Sequence, residues 1–171
     1  MTPSFDAITA ADIARAEIAP MTQSEAEEVG GWAYPGVYAF YDYGADPDDL
    51  AEILDADRRA GAYFGVRLEG YGLIGFVQTW PVGEDGSVEI GLGLRPDCAG
   101  HGLGLAFVEL LCDWLTERVR LRPMTITLRV ATFNARAITV YERAGFRAVE
   151  TEQFTRKGAT IQFLRMRRPV Q

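Results

Sequence analysis

The chain has 171 residues, a formal net charge of −7 and only two cysteines, Cys98 and Cys112. This length is typical of one domain with a buried core, and no apolar run reaches the ~18 residues that a membrane span needs. The cysteine spacing predicts neither a disulfide framework nor a zinc site, and the acidic balance argues against nucleic acid as a partner. The first residues lack a basic start and an apolar core, so we expect no signal peptide and a cytoplasmic location.

The charge is unevenly distributed along the chain. Residues 1–85 contain 16 acidic and four basic side chains, whereas residues 86–171 contain eight acidic and 13 basic ones. Such asymmetry favours an anionic ligand for the second half and a cationic ligand for the first. The alternative is that the two halves interleave in space and that the asymmetry has no functional meaning. Both interpretations stay open at this point.

The first predicted element is a helix. Thr9 and Asp12 form a capping-box pattern before the apolar residues 13–18, and Pro20 is expected to end that helix. Residues 32–43, with the sequence WAYPGVYAFYDY, are rich in aromatic side chains but have no sustained period, which predicts a loop.

A second helix and three strands follow. Asp46 and Pro47 are typical of a helix start, so a helix is predicted to run to about Arg59. Apolar runs between glycine turns then predict three strands, over residues 62–68, 73–80 and 88–94.

The second half of the chain predicts alternating helices and strands. Apolar residues at helical spacing predict a helix over residues 103–118, and a shorter helix is expected over residues 135–144. Strands are predicted over residues 125–130, 146–153 and 160–166. Together these elements indicate a mixed α/β protein with a central sheet covered by helices.

A glycine-rich run joins the strand of residues 88–94 to the next helix. Gly100, Gly102 and Gly104 alternate in the sequence AGHGLG of residues 99–104. Glycine lets a ligand approach the backbone closely, and the first N–H groups of a helix are unpaired and lie at the positive end of its dipole. The run therefore predicts a pyrophosphate site, although tight packing alone is the alternative. Neither the dinucleotide fingerprint G-x-G-x-x-G nor the P-loop pattern fits this spacing.

Two motifs resemble a known family. The glycine run and its preceding strand resemble motif A of the GCN5-related N-acetyltransferases (the GNAT family). Residues 134–146, NARAITVYERAGF, look like that family's motif B, N-x-x-A-x-x-x-Y-x-x-x-G-F, as in the enzymes that acetylate the N-termini of ribosomal proteins. There is one departure, because Ala99 stands where the family often has Gln or Arg, and His101 stands where Arg or Lys is common.

The resemblance implies a fold, a co-substrate and a reaction. The fold is α/β (α+β), with a mixed, mostly antiparallel sheet of about six to seven strands flanked by helices in the order β-α-α-β-β-β-α-β-α-β-β. Residues 1–171 form a single N-acetyltransferase domain that needs acetyl-CoA and no metal. The acceptor is a primary amine, either a small molecule or a peptide N-terminus, that attacks directly. The alternative is a non-catalytic acyl-CoA sensor with the same fold, and a homodimer stays open.

The cofactor site follows residue by residue from the same resemblance. Backbone groups at Leu92 and Leu94 would pair with the pantetheine arm, and Asn134 would anchor that arm or cap the helix. The glycines of the strand suit close approach of a ligand to the backbone, and His101 receives no catalytic role. The predicted cofactor-binding residues are Leu92, Gly93, Leu94, Ala99, Gly100, His101, Gly102, Leu103, Gly104, Asn134, Ala137 and Tyr141.

Two side chains are candidates for proton transfer. By resemblance, Tyr141 protonates the departing thiolate as a general acid, whereas without the motif it would be an ordinary half-buried tyrosine. Glu89, early on the cofactor strand, is the candidate base, acting directly or through water. The alternative for Glu89 is a solvent-facing residue or a partner for an arginine.

The aromatic segment of residues 32–43 is the candidate wall of the acceptor site. Trp32, Tyr34 and Tyr38 would contact the amine there, with the acidic first half of the chain attracting a cation. The alternative is a loop that only covers the core.

Overall fold

The computed structural model describes residues 3–118, 125–156 and 158–170. Within them, seven strands form one mixed sheet in the order β1-β2-β3-β4-β5-β7-β6, in which only β4 and β5 run parallel. The strands are β1 (Glu17–Pro20), β2 (Tyr63–Leu68), β3 (Gly72–Thr79), β4 (Ser87–Leu94), β5 (Thr125–Ala131), β6 (Arg147–Arg156) and β7 (Ala159–Pro169).

Helices flank this sheet, and two hydrophobic clusters attach them to it. One cluster joins α5 to β4 and β5, and the other joins α2 and α3 to β2 and β3. The described helices are α1 (Ala10–Ile13), α2 (Gln23–Gly30), α3 (Pro47–Leu54), α4 (Ala56–Arg59), α5 (Gly104–Arg118) and α6 (Ala135–Arg143). The architecture and the order of elements confirm the predicted fold class.

The start of the chain differs from the predicted helix of residues 13–18. The Thr9–Asp12 capping box forms, but its helix ends at Ile13, and β1 then pairs antiparallel with β2 from Glu17 to Pro20. Pairing with β2 gives the backbone of β1 its hydrogen bonds, so tertiary structure overrides the local helical pattern. Pro20 ends an edge strand, where its missing N–H costs little.

Two further helix predictions need correction. Helix α2 is not among the predicted elements, although it starts with a complete capping box between Thr22 and Glu25. The helix predicted from Pro47 to about Arg59 is broken in two, because the Asp55 side chain accepts hydrogen bonds from Asp57 and Arg58 N–H and thereby caps α4.

The two parallel strands separate after a short contact. β4 pairs with β5 only from Ser87↔Thr125 to Glu89↔Thr127, although β4 continues to Leu94 and β5 to Ala131. The sheet is therefore split between the ends of these strands, and backbone groups along the split have no strand partner across it.

A close approach of α5 to the sheet brings the start of this helix to the split. Gly75 on β3 makes room for α5, since a Cβ there would lie 2.6 Å from the Phe107 ring and 2.8 Å from the Gly93 carbonyl oxygen. A side chain at this position would overpack the core, which commonly costs ~1–3 kcal/mol.

We expect Gly75→Ala to lower the free energy of unfolding by roughly 1–3 kcal/mol in denaturant titrations. The matched control is Gly31→Ala, where φ is −94° and a Cβ would come no closer than 3.5 Å to another atom. Equal stability of the two variants would contradict the packing argument.

Candidate active site

A cavity of about 640 Å³ occupies the split between β4 and β5. Its walls come from the glycine run, the start of α6, the aromatic segment and α3. The predicted site residues that line it are Trp32, Tyr34, Tyr38, Leu92, Gly93, Leu94, Ala99, Gly100, Gly102, Gly104, Asn134, Ala137 and Tyr141. The sequence motifs and the aromatic segment thus meet at one cavity.

The register of β3 and β4 determines which backbone groups of β4 point into the split. Trp80 N–H donates to the Glu89 carbonyl at 3.0 Å, and Arg95 N–H donates to the Ile74 carbonyl at 2.8 Å. Backbone groups alternate in direction along an antiparallel strand, and the register shows no bulge between these bonds. The N–H and C=O groups of Leu92 and Leu94 therefore point away from β3, into the split.

The glycine run exposes a series of backbone donors. Gly100 and Gly102 have φ values of +81° and +76°, a conformation that favours glycine. No residue in the described ranges accepts a hydrogen bond from the N–H groups of residues 100–106. Gly104 also lets α6 approach, since a Cβ there would lie 3.2 Å from a methyl group of Val140. These unpaired donors at the start of α5 fit an anionic group.

An arginine that the sequence analysis did not single out lies beside the glycine run. Arg136 on α6 lines the cavity, and its Nη1 is 3.3 Å from the position that a Cβ on Gly100 would take. The Arg136 guanidinium stacks over the Tyr38 ring, 4.6 Å from its centroid. This stacking holds a positive charge at the end of the cavity that presents the backbone donors.

Tyr141 has an unengaged hydroxyl in the cavity wall. Its ring packs edge-on against Phe146, with 6.0 Å between the ring centroids, and the hydroxyl makes no hydrogen bond with a described residue. Burial, and then the nearby Tyr41, raise the pKa of Tyr141 above its ordinary value. The hydroxyl therefore keeps its proton and is free to donate it.

Two tyrosines of the aromatic segment attach that segment to both sides of the split. The Tyr34 hydroxyl donates to the Leu94 carbonyl of β4 at 2.6 Å. The Tyr41 hydroxyl accepts from Ala131 N–H of β5 and from the Asn134 side chain, each at 3.3 Å. Residues 32–43 are folded as a segment with a 3₁₀ turn at Gly36–Tyr41, and this segment spans the cavity.

Asn134 is engaged on two sides. Its Oδ1 accepts a hydrogen bond from Ala137 N–H at 3.1 Å and caps α6, while its amide nitrogen donates to Tyr41. Trp32 is 92% buried, packs on Phe76 with 6.1 Å between ring centroids, and its indole N–H has no partner among the described residues. Trp32 therefore forms the inner wall of the cavity.

Three predicted site residues do not line the cavity. Leu103 is buried in the core, and the ring of His101 lies 3.5 Å from an Asp6 carboxylate oxygen on the protein surface. Glu89 pairs with Arg129, with 3.0 Å between Oε1 and Nη1, and Arg129 also contacts Glu152 at 2.8 Å. For Leu103 and His101, the predicted contribution to a ligand is thus limited to backbone groups.

The glycines of β4 have a second role beside the predicted access to the backbone. A Cβ on Gly93 would lie 2.5 Å from the Phe76 ring, and one on Gly91 would lie 3.4 Å from the Trp80 ring. Gly93 is therefore required by packing, while Gly91 leaves open space beside Trp80.

The far end of the cavity contains a carboxylate that the sequence analysis did not identify. Glu52 on α3 lines it together with Tyr63, Gln78 and Tyr43. Burial is the main cause that raises the pKa of Tyr43 to about 12 and that of Tyr63 further still, so both hydroxyls stay protonated. No marker in the sequence distinguishes Glu52 from the other acidic residues of α3.

Two kinds of feature are absent from the described part of the chain. None of its helices is both long enough and apolar enough to cross a membrane. In the same residues, no group of three or more His, Cys, Asp or Glu side chains is arranged to hold a metal ion.

Comparison with known proteins decides the family. Residues 13–147, more than half of the chain, match the model of the acetyltransferase (GNAT) domain. The chain belongs to the GNAT acetyltransferase family. This membership confirms the predicted family and its class of enzyme, the acetyltransferases. The alternative of a non-catalytic sensor is not favoured.

Individual relatives of this GNAT chain agree with that assignment. A mycothiol acetyltransferase of Geodermatophilus obscurus is 34% identical over 105 residues, which are 59% of this chain and 29% of that protein. The match thus spans less than a third of that relative's length.

Solved structures resemble the GNAT chain over most of its length. The spermidine N-acetyltransferase of Vibrio cholerae, in complex with CoA and spermine, has a TM-score of 0.71 at 21% identity and covers 90% of this chain and 94% of its own. An acetyltransferase of the GNAT family from Bacillus anthracis has a TM-score of 0.72 at 15% identity, with coverages of 91% and 96%. At these identities the likeness establishes the fold.

We expect Gly102→Ala to weaken the binding of CoA. At a φ of +76° an added Cβ strains the loop by about 1 kcal/mol or more, and it projects from the backbone that an anion must approach. The dissociation constant measured by calorimetry should rise roughly tenfold.

The matched control for this variant is Gly70→Ala, in the turn between β2 and β3. Gly70 has a φ of +83°, and neither it nor Gly102 has an atom within 4 Å of an added Cβ. The control should lose similar stability but keep its CoA affinity, and equal loss of affinity in both variants would contradict the assignment of the loop.

Proposed function

We propose that this GNAT chain transfers the acetyl group of acetyl-CoA to the primary amine of a small molecule by direct attack. One observation carries the proposal: the unpaired donors of Gly100, Gly102 and Gly104, the open edge of β4 and the free hydroxyl of Tyr141 all border the same cavity. When bound, acetyl-CoA supplies a thioester whose carbonyl carbon accepts the amine and whose thiolate leaves.

The backbone and Arg136 bind and orient the co-substrate in this proposal. The unpaired N–H groups of the glycine run that border the cavity hold the pyrophosphate, and Arg136 adds a side-chain cation next to them. Leu92 and Leu94 present backbone groups along the split, where the pantetheine arm can pair as a strand would. Because Tyr34 already donates to the Leu94 carbonyl, the N–H of Leu94 is the group left to bind the arm or to polarise the thioester carbonyl.

Tyr141 acts as the general acid. Its hydroxyl is buried in the cavity wall without a competing hydrogen bond, and its raised pKa keeps it protonated. Protonation of a leaving thiolate by a positioned acid commonly contributes ~10²–10⁴-fold to the rate.

Glu89 is the candidate base. Its carboxylate contacts Arg129, which lines the cavity, so proton transfer from the amine to Glu89 has to pass through a bridging water. Holding the amine close to the thioester supplies the remainder of the catalysis through proximity and orientation.

The acceptor is a small cationic amine that enters between the aromatic segment and α3. Trp32, Tyr34 and Tyr38 form part of its wall. The printed names of the relatives, a mycothiol acetyltransferase and a spermidine N-acetyltransferase, support a small-molecule acceptor. A peptide N-terminus stays the alternative acceptor. Other properties also stay predictions: a cytoplasmic location, a homodimer, one domain over residues 1–171, and independence from metals, nucleic acid and membranes.

We expect the wild-type protein to bind acetyl-CoA in calorimetry and to release CoA in the presence of amines. Tyr141→Phe should bind acetyl-CoA equally well but turn over ~10²-fold more slowly.

The raised pKa of Tyr141 predicts how turnover depends on pH. Tyr141 stays protonated up to its ordinary pKa of about 10 and beyond, so wild-type kcat should show no alkaline loss from this group below pH ~10.

The control is Tyr71→Phe, which removes a hydroxyl that does not line the cavity. Unchanged turnover in Tyr141→Phe would remove the acid role. Absence of binding to both CoA and acetyl-CoA would refute the proposed function itself.

We expect Glu89→Gln to abolish the acidic limb of the kcat/KM profile, because a base must be deprotonated to act. The control is Glu150→Gln, which breaks a similar ion pair with Arg165 on the same sheet and outside the cavity. An unchanged acidic limb with lower stability would assign Glu89 to the ion pair with Arg129 alone.

A further inference from the structure

Glu52 is held by two neighbouring strands beneath it. Its Oε1 accepts a hydrogen bond from the Tyr63 hydroxyl at 2.8 Å and another from the Gln78 side-chain nitrogen at 3.0 Å. Tyr63 and Gln78 are directly opposite each other in the register of β2 and β3. These neutral donors fix the orientation of the carboxylate, whose second oxygen, Oε2, makes no bond with a described residue.

The position of Glu52 connects it to the co-substrate strand. Gln78 is opposite Gly91 on β4, and a Cβ on Gly91 would lie 3.7 Å from the side-chain oxygen of Gln78 and 3.4 Å from the Trp80 ring. Because Gly91 has no side chain, the space between Glu52, Trp80 and β4 stays open. The same cavity continues from there to Leu92 and Leu94.

The charges around Glu52 favour a cation. Other carboxylates near the sheet have arginine partners, as Glu25 has Arg67 and Glu89 has Arg129, whereas no arginine or lysine in the described ranges pairs with Glu52. Asp49 lines the same end of the cavity.

The positively charged side chains that also line the cavity do not neutralise the negative charge of Glu52. Arg129 is held between Glu89 and Glu152, and Arg136 lies over Tyr38 beside the glycine run. Arg143 is exposed in the last turn of α6. An acceptor that carries a carboxylate next to the bound ammonium group would therefore be repelled by Glu52, with which no arginine or lysine of the described ranges pairs.

We infer that the acceptor is a diamine, that Glu52 binds through Oε2 the ammonium group that does not react, and that it thereby selects diamines against the corresponding diamino acids. This inference rests on the proposed function and names its substrate class. The Trp80 and Tyr43 rings, which line the same end of the cavity, lie beside the alkyl part and add cation–π attraction. Glu52 is a specificity-determining residue here, distinct from the acid Tyr141.

The test compares substrate pairs that differ only in a carboxylate, putrescine against ornithine and cadaverine against lysine, in CoA-release assays. Wild type should prefer each amine by kcat/KM. Glu52→Gln should raise KM for the amines roughly tenfold or more, since it removes a hydrogen bond to a charged group, and should reduce the preference by a similar factor. The KM for acetyl-CoA and the kcat at saturating amine should change little.

The matched control is Glu27→Gln, which removes the same charge from an exposed position on α2 outside the cavity. If Glu52→Gln fails to fold, Glu52→Asp keeps the charge and should retain the preference for amines with a higher KM. An unchanged KM and preference in Glu52→Gln, or loss of the preference in Glu52→Asp, would overturn the inference alone. Failure of wild type to acetylate any amine would overturn the proposed function and the inference with it.

Discussion

The separation of β4 from β5 is the constraint on which the rest of the structure depends. Parallel pairing ends at Glu89↔Thr127, and from there the two strands diverge. A sheet normally satisfies its own backbone groups, so this divergence leaves donors and acceptors of Leu92 and Leu94 directed into a cavity. The same geometry brings the start of α5, with its unpaired N–H groups, beside that cavity. In the proposed function, a ligand with amides along its arm and a pyrophosphate at its end would satisfy both sets of groups, so most of its site would consist of backbone rather than side chains.

The aromatic segment follows from the same divergence. The separated ends of β4 and β5 are each fixed by a tyrosine hydroxyl of this segment. Tyr34 bonds to the Leu94 backbone of β4, and Tyr41 bonds to the Ala131 backbone of β5. Residues 32–43 therefore cover the core and line the cavity at once, and their contact with an acceptor stays a prediction. Tyr41 also contacts Asn134, which links this segment to the cap of α6 and so to the helix that carries Tyr141.

Local patterns predicted the parts of the site that lie on contiguous sequence. The glycine run and the residues from Asn134 to Tyr141 are short segments that each begin a helix, so their spacing in the sequence is enough to predict that they lie at one site. The failures involve contacts between distant residues. β1 is a strand only because β2 lies beside it, and nothing within residues 13–20 records that neighbour. The capping box of Thr22 and Glu25, by contrast, was readable and was overlooked. Glu52 is positioned by Tyr63 and Gln78, and Arg136 by Tyr38. No spacing in the sequence connects these residues to their partners.

Glu89 and Glu52 have different partners because they lie on opposite sides of the point where β4 and β5 separate. Glu89 lies where β4 and β5 still pair, and Arg129 on β5 reaches it as a cross-strand partner. Past that point the strands separate, so Glu52, approaching from α3 over Gln78 and Gly91, meets no cation from β5. A carboxylate inside the paired region is held by a cation of the neighbouring strand, while one outside it keeps an oxygen for a ligand. The point at which the strands part thus determines which acid faces the acceptor.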